Sequence, residues 1–341
     1  MSRKSTVLVS GGFGFLGTHL LEEISMQAPG TNVHVIDNFS TSPMSLEDIL
    51  EDLQIDLNLS YEICDLSESK ILKDKEYNFS EIYHLASYVG PAGVLKHGGN
   101  MVRGIVNDGY QMIDFALENG SRLLLASSSE VYGGGVKGLC SESTPRVVPA
   151  ETTIRLEYAV GKIAIETALI NTSKVRNLSS IVIRPFNVSG PRQSGKGGFV
   201  LPRFIASAMN NDPLTVFGDG NAKRAFTHVR DIANGCYLAM KNQSTGKVYN
   251  LGNPSNITTI AEFANRVIEV TKSNSKIQLV DPKTLFGPLY EEASDKFPDA
   301  TLTIKDLKWE PKKSLDEIIA ETWDFMKKLK TSSFQSISGR G

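Results

Sequence analysis

Three side chains in this sequence have the types and spacing of a proton-transfer site. Tyr158 and Lys162 are four residues apart in the segment RLEYAVGK, so they lie on one face of a helix. A lysine ammonium beside a phenol lowers the phenol pKa, and the resulting tyrosinate can remove the proton of a hydroxyl group. Ser128 follows an apolar run in LLLASSSEVYG and can hydrogen-bond the same substrate oxygen. Together the three residues predict oxidation of an alcohol, in which a hydride leaves the carbon that carries the hydroxyl.

The polar run at Ser127–Glu130 admits a second interpretation. Serine is common at helix N-termini and in turns, and Glu130 could cap such a turn. The alternative is a reaction site, because open α/β folds bind their ligands at the carboxyl ends of parallel strands. The presence of Tyr158 and Lys162 favours the reaction site, with Ser128 and Glu130 as catalytic residues.

A glycine-rich segment near the start of the chain predicts a dinucleotide site. Gly11, Gly14 and Gly17 in LVSGGFGFLGTHLLEEI match G-x-x-G-x-x-G between a strand pattern and a helix start. Glycines allow a tight turn and a close approach of the backbone to a pyrophosphate at the helix N-terminus. Asp37 follows Gly17 by 20 residues, where a carboxylate can bind both ribose hydroxyls of NAD and repel a 2′-phosphate. Asn38, where an arginine would suit NADP, also favours NAD.

Composition and charge narrow the class of protein. The chain has 341 residues, with 36 Lys and Arg against 38 Asp and Glu, and this balance gives no reason to expect nucleic acid or an anionic membrane as partner. The three cysteines are unclustered, which favours a reducing compartment over disulfides, and no spacing of His, Cys and Asp predicts a metal site. The N-terminal apolar run is too short for a signal peptide. We therefore expect a cytoplasmic protein without a metal.

The elements that must position these residues alternate between strand and helix patterns. The strand candidates are 6–10, 32–38, 59–65, 81–86, 122–128 and 179–187, and the helix candidates between them are 15–26, 44–54, 100–119 and 155–172. Strands separated by helices predict the α/β class, as a Rossmann-type doubly wound parallel sheet. We expect an NAD-binding Rossmann domain at 1–186, a smaller mixed α/β substrate-binding lobe at 187–330 whose segments can interleave with it, and a disordered tail at 331–341.

The motifs, taken in order, resemble a known family. The segments GGFGFLG, VIDNFSTS, HLAS, SSSEVYG, YAVGK, RPFNVSGPR, LTVFGDGNAKRAFTHVRD and LKWEP are similar to those of the extended short-chain dehydrogenase/reductases that act on nucleotide sugars. The resemblance covers roughly residues 6 to 330. It implies a tightly held NAD that oxidises the sugar at C4 to a 4-keto intermediate, a UDP-linked or other nucleotide-sugar substrate, and a homodimer formed through the helices near 100–119 and 155–172.

The resemblance also implies which residues form the site. The expected catalytic residues are Ser128, Glu130, Tyr158 and Lys162. Those expected to bind NAD are Gly11, Gly14, Phe15, Leu16, Gly17, Asp37, Asn38, Asp65, Leu66, Leu85, Ala86, Tyr158 and Lys162, with Asp65 and Leu66 near the adenine. Those expected to bind substrate are Ser129, Arg155, Asn187, Arg192, Arg224 and Lys296, of which Asn187, Arg192 and Arg224 resemble positions near the substrate pyrophosphate.

The motifs identify the reaction that follows C4 oxidation less specifically than they identify the family. Ser129-Glu130 resembles the T-S-E motif of UDP-glucuronate decarboxylases and of GDP-mannose 4,6-dehydratases, and Ser129 replaces the aspartate acid of dehydratases that act on thymidine-linked glucose. Arg155, without the following proline of the GDP-mannose enzymes, favours a decarboxylase. Lys296 departs from the decarboxylase pattern, because the decarboxylase motif resembles R-x-P-D at this point. Lysine lacks the guanidinium fork of that arginine. Decarboxylation of UDP-glucuronate is the leading hypothesis.

Other function classes remain open at this point. A 4,6-dehydratase and a 4-epimerase share the C4 oxidation. A non-catalytic NAD sensor would need none of Ser128, Tyr158 and Lys162, and an NADPH-dependent reductase is disfavoured by Asp37.

Overall fold

The structure is a computed structural model of the chain, and it describes residues 6–42, 44–74, 78–133, 138–150, 153–195, 198–287 and 295–338. Within these ranges the strands are β1 (Thr6–Ser10), β2 (Thr31–Asp37), β3 (Leu57–Ile63), β4 (Glu81–His84), β5 (Arg122–Ala126), β6 (Gly138–Cys140), β7 (Ser180–Pro185), β8 (Val188–Ser189), β9 (Leu214–Phe217), β10 (Lys223–Ala225), β11 (Thr227–His228), β12 (Lys247–Leu251), β13 (Ile257–Thr259), β14 (Ile277–Val280) and β15 (Lys296–Pro298).

The helices of the same ranges are α1 (Phe15–Gln27), α2 (Leu46–Asp52), α3 (Gly90–Lys96), α4 (Met101–Asn119), α5 (Ile154–Arg176), α6 (Val200–Asn210), α7 (Val229–Lys241), α8 (Ile260–Thr271), α9 (Lys283–Phe286), α10 (Thr301–Leu307) and α11 (Leu315–Ser338). Short 3₁₀ turns add Leu66–Glu68, Ile71–Lys73, Ser129–Tyr132 and Pro254–Asn256. None of the helices in the described part of the chain combines the length and apolar character needed to cross a membrane.

A seven-stranded parallel sheet forms the centre of the molecule, in the order β12-β7-β5-β4-β1-β2-β3. The chain runs outward from β1 to β3 and then returns to the other side of β1, so the strand order reverses between β1 and β4. The register aligns Ser10 with His84 of β4 and with Ile36 of β2, which brings the carboxyl ends of the three strands to one level. The expected Rossmann-type sheet is confirmed, and its reversal point marks the crevice where such sheets bind ligands.

Both faces of the sheet are covered, which explains why its strands read as continuous apolar runs. Val7 and Val9 point to the layer that contains α1 and α7, and Leu8 points to the layer that contains α4 and α5. The same alternation occurs in β5, where Leu124 faces the first layer and Leu125 the second. The core is therefore divided into two apolar layers by the sheet itself.

The region after residue 186 is interleaved with the sheet domain. Residues 229–251, which lie after the expected boundary at 186, return to the sheet as α7 and β12. Conversely, β6 lies before this boundary but pairs with β15, which lies after it. What remains of the lobe has its own apolar cluster between α6, α8 and α11. A parallel strand pairs with neighbours that are distant along the chain, so local periodicity does not place such a boundary.

The last helix differs from the expectation for the tail. The sequence predicts disorder from residue 331, whereas α11 continues to Ser338, and residues 339–341 lie outside the described residues. No Gly or Pro interrupts the chain between 331 and 338, so the backbone can continue a helix until Gly339.

Helices α4 and α5 pack closely at a glycine. A Cβ added to Gly109 of α4 would lie 2.1 Å from Cγ1 of Ile165 on α5. By contrast, a Cβ at Gly104 of the same helix would meet only Cε2 of Tyr88, at 3.9 Å. The two glycines therefore provide a matched pair in one helix.

We expect Gly109→Ala and Gly104→Ala to have opposite effects on stability. Alanine is preferred to glycine in a helix interior by ~1 kcal/mol, so Gly104→Ala raises the free energy of unfolding by up to that amount. At Gly109 the overlap with Ile165 outweighs this gain, since overpacking costs about 1–3 kcal/mol. Denaturant titration of both variants measures the difference. Equal stabilisation by the two substitutions would show that the helices do not meet at Gly109.

Candidate active site

Ser128 lies where β5 ends and a 3₁₀ turn begins. The turn spans Ser129–Tyr132, and Ser128 Oγ accepts a hydrogen bond from the backbone N–H of Glu130 at 3.2 Å. The same hydroxyl is hydrogen-bonded to the side chain of Tyr158. Ser128 therefore caps the turn and also contacts the tyrosine.

Tyr158 and Lys162 lie on α5 and project toward the carboxyl end of β5. Both are buried, and the Lys162 ammonium donates a hydrogen bond to the carbonyl oxygen of Ala126 at 3.0 Å. Its Nζ lies 5.8 Å from the centre of the Tyr158 ring. The helix thus brings the phenol, the ammonium and the Ser128 hydroxyl to one point at the edge of the sheet, as the sequence predicts.

The environment of Tyr158 opposes its ionisation. Burial raises the pKa of the phenol, the hydrogen bond with Ser128 lowers it, and the negative charge of Glu130 raises it further. Burial also lowers the pKa of Lys162 to about 8, against the opposing effect of the Glu166 and Asp108 carboxylates. A reactive tyrosinate therefore depends on Lys162 staying protonated and on further positive charge near the ring.

The glycine-rich turn after β1 has the shape of a pyrophosphate site. A Cβ at Gly17 would lie 2.1 Å from the carbonyl oxygen of Gly11, so only glycine allows α1 to begin this close to the turn. A Cβ at Gly14 would meet nothing closer than 3.3 Å, and Gly14 precedes the first helical residues Phe15 and Leu16 without a side-chain cap. The backbone N–H groups of this first turn have no partner within the helix and can bind an anion.

Asp37 ends β2 beside this turn, as the sequence predicts. Its carboxylate accepts hydrogen bonds from the backbone N–H groups of Phe13 at 2.9 Å and Phe39 at 2.8 Å, and burial nevertheless raises its pKa. Each carboxylate oxygen accepts more than one hydrogen bond, so capacity remains for ribose hydroxyls. Asn38 donates a hydrogen bond from Nδ2 to Oδ1 of Asp65 at 2.5 Å, which joins the loops after β2 and β3 at this end of the sheet.

The remaining expected cofactor residues lie in the loops after β3 and β4. Leu66 is buried in the apolar layer next to α4, and its carbonyl accepts a hydrogen bond from Gln111 at 2.9 Å. The N–H of Leu85 donates to the carbonyl of Ser10 at 3.0 Å, and the nitrogen of Ala86 lies 2.8 Å from where a Cβ of Gly11 would be. The loop after β4 thus packs against the glycine-rich turn, and the residues present fit a dinucleotide along this edge.

Glu130 is surrounded by cations from distant parts of the chain. Arg155 donates from Nε and from Nη2 to its two carboxylate oxygens, each at 3.2 Å, and Nζ of Lys296 lies 3.5 Å from Oε2. Burial raises the pKa of Glu130, but the charges of Arg155 and Lys296 outweigh this effect and lower it to about 2. Burial lowers the pKa of Lys296, and Glu130 raises it. Glu130 is therefore ionised and is held between two cations beside Tyr158.

Other expected substrate residues approach the same region from the lobe. Arg224 lies on β10, with Nη1 3.4 Å from Oδ1 of Asp295, and its charge acts on both Glu130 and Lys296. Asn187 adopts a positive φ of 37°, and its Nδ2 donates to the carbonyl of Ala225 at 3.4 Å. The sequence assigns no role to Asp295, because it lies in a polar loop and only the fold brings it to Arg224.

Arg192, which the resemblance places near the substrate pyrophosphate, forms ion pairs with carboxylates of α1 and α2. Its guanidinium forms ion pairs with Glu22 of α1 at 2.5 Å and with Asp52 of α2 at 2.7 Å, and it is buried between them. The backbone at Arg192 has a φ of 65°, which turns the loop toward α1. These ion pairs join Arg192 to α1 and α2, while its Nη1 is buried without a hydrogen-bond partner among the described residues.

Two further features bear on the chemistry of the site. Asp108 of α4 acts electrostatically on Lys162, a role that the sequence analysis does not assign. The feature of the sequence that could have pointed to Asp108 is a carboxylate within the apolar stripe of α4, which includes Ile105 and Met112. Across the described residues, no group of three or more His, Cys, Asp or Glu side chains is arranged to hold a metal ion.

Comparison with known proteins decides the family. A model of the NAD dependent epimerase/dehydratase family matches residues 7–252. The chain belongs to this family. Membership confirms the resemblance to the extended short-chain dehydrogenase/reductases and confirms NAD as the cofactor.

Among curated proteins, the chain is similar to several decarboxylases. It is 28% identical over 327 residues to the UDP-N-acetyl-alpha-D-glucosaminuronate decarboxylase of Bacillus cytotoxicus, which covers 96% of this chain and 99% of that protein. It is 33% identical over 313 residues to UDP-glucuronic acid decarboxylase 4 of Arabidopsis thaliana, which covers 91% of this chain but 66% of the relative. The chain therefore spans about two thirds of the length of the plant relative.

Solved structures share the fold at low sequence identity. The UDP-N-acetylglucosamine 4-epimerase of Methanobrevibacter ruminantium superposes with a TM-score of 0.82 at 23% identity, covering 96% of this chain and 99% of that one. The UDP-glucuronic acid 4-epimerase of Bacillus cereus, solved with UDP-glucuronic acid and NAD, gives 0.81 at 22% identity, covering 95% and 99%. These likenesses confirm the fold and leave the reaction to be decided by the site.

We expect ionised Glu130 to stabilise the fold, and we expect this contribution to be lost as the pH falls. Its pKa of about 2 lies below the ordinary value of 4.5, so the folded state holds its proton less tightly than the unfolded chain. The stabilisation is complete above pH 4.5 and is lost as the pH falls toward 2. Glu130→Gln therefore lowers the thermal unfolding midpoint at pH 6, and the deficit shrinks at pH 3.

The control is Glu310→Gln, which neutralises an exposed carboxylate. It leaves the midpoint within the error of the wild type at both pH values. A deficit in Glu130→Gln that is the same at pH 6 and pH 3 would show that the ion pairs with Arg155 and Lys296 do not stabilise the fold.

Proposed function

We propose that the chain is an NAD-dependent decarboxylase of a nucleotide-linked uronic acid, with UDP-glucuronate as the substrate. The observation that carries the proposal is the Glu130 cluster beside Tyr158. Two cations, Arg155 and Lys296, surround one carboxylate, so the three side chains have a formal charge of +1. This charge suits one additional carboxylate, which a uronic acid carries at C5 and a neutral hexose lacks.

The first step is oxidation at C4. Tyr158, as the tyrosinate, accepts the proton of the 4-hydroxyl, and Ser128 donates a hydrogen bond to the same oxygen as it becomes a carbonyl. Lys162 stabilises the tyrosinate by its charge. NAD, when bound, supplies the acceptor for the hydride of C4 and later its donor.

Decarboxylation uses the ketone formed in that step. The C5 carboxylate is then β to the C4 carbonyl, so breaking the bond between C5 and the carboxyl carbon releases carbon dioxide and leaves the electron pair on the C4 oxygen as an enolate. Tyr158, now protonated, and Ser128 can stabilise this oxygen. A proton from solvent then adds to C5, and as C4 is reduced Tyr158 returns its proton to the C4 oxygen, which regenerates the alcohol and the tyrosinate. Arg155 and Lys296 position the carboxylate until it leaves.

A 4-epimerase is the second candidate. The same Ser128, Tyr158 and Lys162 suffice for oxidation and reduction at C4, and epimerases of this fold superpose on the chain. A 4,6-dehydratase is less well supported, because Ser129 supplies no carboxylic acid to protonate a leaving hydroxyl. The reactions differ in the mass of the product.

The test is mass spectrometry of the nucleotide sugars after incubation with NAD and UDP-glucuronate, with UDP-N-acetylglucosaminuronate in parallel. Loss of carbon dioxide supports the decarboxylase, and the parallel reaction shows which uronic acid is preferred. An unchanged mass with formation of UDP-galacturonate supports the epimerase. Loss of water from GDP-mannose, without reaction of either uronate, would replace the proposal with a dehydratase.

We expect Tyr158→Phe to lower turnover by about 10²–10⁴-fold, because only the proton acceptor is lost. Binding of NAD, measured by calorimetry, stays within a few-fold of the wild type, since the glycine-rich turn and Asp37 are unchanged. Tyr88→Phe, which removes a hydroxyl from another tyrosine, is the control and keeps its turnover. Wild-type turnover in Tyr158→Phe would rule out the tyrosine as the base.

We also propose a homodimer in which α4 and α5 of each copy associate, in a reducing compartment such as the cytoplasm. Three free cysteines support the compartment, and Tyr110 of α4, which is 49% exposed, supports the interface. Tyr110→Glu is expected to give a monomer by light scattering, because it buries a charge in the interface. Leu139→Glu, which alters an exposed residue outside α4 and α5, leaves the dimer intact. A wild-type monomer at micromolar concentration would contradict the proposal.

A further inference from the structure

Asp108 is a carboxylate at a core-facing position of α4. It lies three residues after Ile105 and four residues before Met112, both of which are buried in the layer between the sheet and the helices. The i, i+3, i+7 spacing of this stripe would ordinarily place an apolar residue at position 108. The side chain of Asp108 is partly buried there, and burial and the charge of Asp65 raise its pKa to about 6.

The packing of the two helices brings this carboxylate toward Lys162. Next to Asp108, Gly109 allows the close approach of α4 to Ile165, one turn after Lys162 on α5. Next to Lys162, a Cβ at Gly161 would lie 3.1 Å from Cδ1 of Ile105. The helices therefore meet through glycines that adjoin Asp108 and Lys162 in the chain, and each of these two side chains acts on the other electrostatically.

The other titratable groups near Lys162 are either paired with arginines or neutral. Glu166 accepts hydrogen bonds from Arg184 at 3.0 and 2.7 Å, and Nη1 of Arg146 lies 3.3 Å from it, so two guanidiniums share its charge. His84 of β4 is neutral, since burial and the Lys162 charge lower its pKa to about 3. Within the described part of the chain, Asp108 forms no hydrogen bond or ion pair with another side chain. Its charge is thus available to Lys162.

We propose that Asp108 is a positioning residue that keeps Lys162 protonated in its buried site. The proposal rests on the function proposed above for one point only, the role of Lys162 in lowering the Tyr158 pKa. Burial favours the neutral amine, and a neutral amine gives the tyrosinate no electrostatic support. Asp108 opposes this loss from the α4 side, at the pH values where its own carboxyl is ionised.

The direct test is the titration of Lys162 by nuclear magnetic resonance, in protein labelled with ¹³C at lysine Cε. The Lys162 signal is assigned by its absence in Lys162→Met. In the wild type we expect its midpoint at about 8, because burial lowers the pKa of the amine. In Asp108→Asn we expect it about one pH unit lower, a tenfold change in the proton affinity of the amine. Asp114→Asn, which neutralises an exposed carboxylate of the same helix, leaves the midpoint unchanged.

The spectrum of the other lysines reports whether each variant is folded, and Asp108→Ala replaces Asp108→Asn if the latter is not. An unchanged Lys162 midpoint in a folded variant overturns the proposal. Asp108→Glu, which restores the charge, is expected to return the midpoint toward the wild-type value; no return overturns it as well. These measurements use no substrate, so they stand or fall independently of the decarboxylation assay.

The kinetic consequence is a change in the pH profile rather than a uniform loss of turnover. With a lower Lys162 pKa, the alkaline limit of kcat moves down by about one pH unit in Asp108→Asn. Turnover is therefore reduced several-fold more at pH 8 than at pH 6.5, with little change in KM. An equal reduction at both pH values would indicate a structural role and would overturn the proposal.

Discussion

The hydrogen bond from the Lys162 ammonium to the carbonyl of Ala126 is the contact on which the site depends. A buried ammonium is costly unless its protons and its charge are compensated, so its partners fix where α5 can lie. This bond ties the helix to the carboxyl end of β5. Because Tyr158 is one turn earlier on the same helix, the bond also sets the position of the phenol relative to Ser128.

The same end of the sheet carries the cofactor site for a topological reason. The strand order reverses between β1 and β4, and open α/β sheets bind their ligands at such a point. The glycine-rich turn and Ala86 pack against each other there. Asp37 lies on one side of this point and Tyr158 on the other, so a dinucleotide bound along this edge would connect them.

The protonation states of the site residues are set by burial and by neighbouring charges, which shift their pKa values in opposite or in the same directions. Glu130 stays ionised because Arg155 and Lys296 outweigh its burial, and Lys162 is held near the borderline of protonation because burial and two carboxylates oppose each other. Tyr158 remains protonated in the same setting, since Glu130 adds to the effect of burial. Ionisation of Tyr158 therefore depends on positive charge close to its ring.

The sequence by itself determined the Rossmann sheet, the glycine-rich turn, Asp37 and the Tyr158–Lys162 pair, because each depends on residues that are close along the chain and on fixed helix or strand periodicity. Only the tertiary structure decided that Lys296 pairs with Glu130 and that Asp295 pairs with Arg224. It also decided that Arg192 is held by Glu22 and Asp52 and that residues 229–251 rejoin the sheet. These ion pairs and strand pairings join residues that are distant along the chain, and local patterns carry no information about such partners.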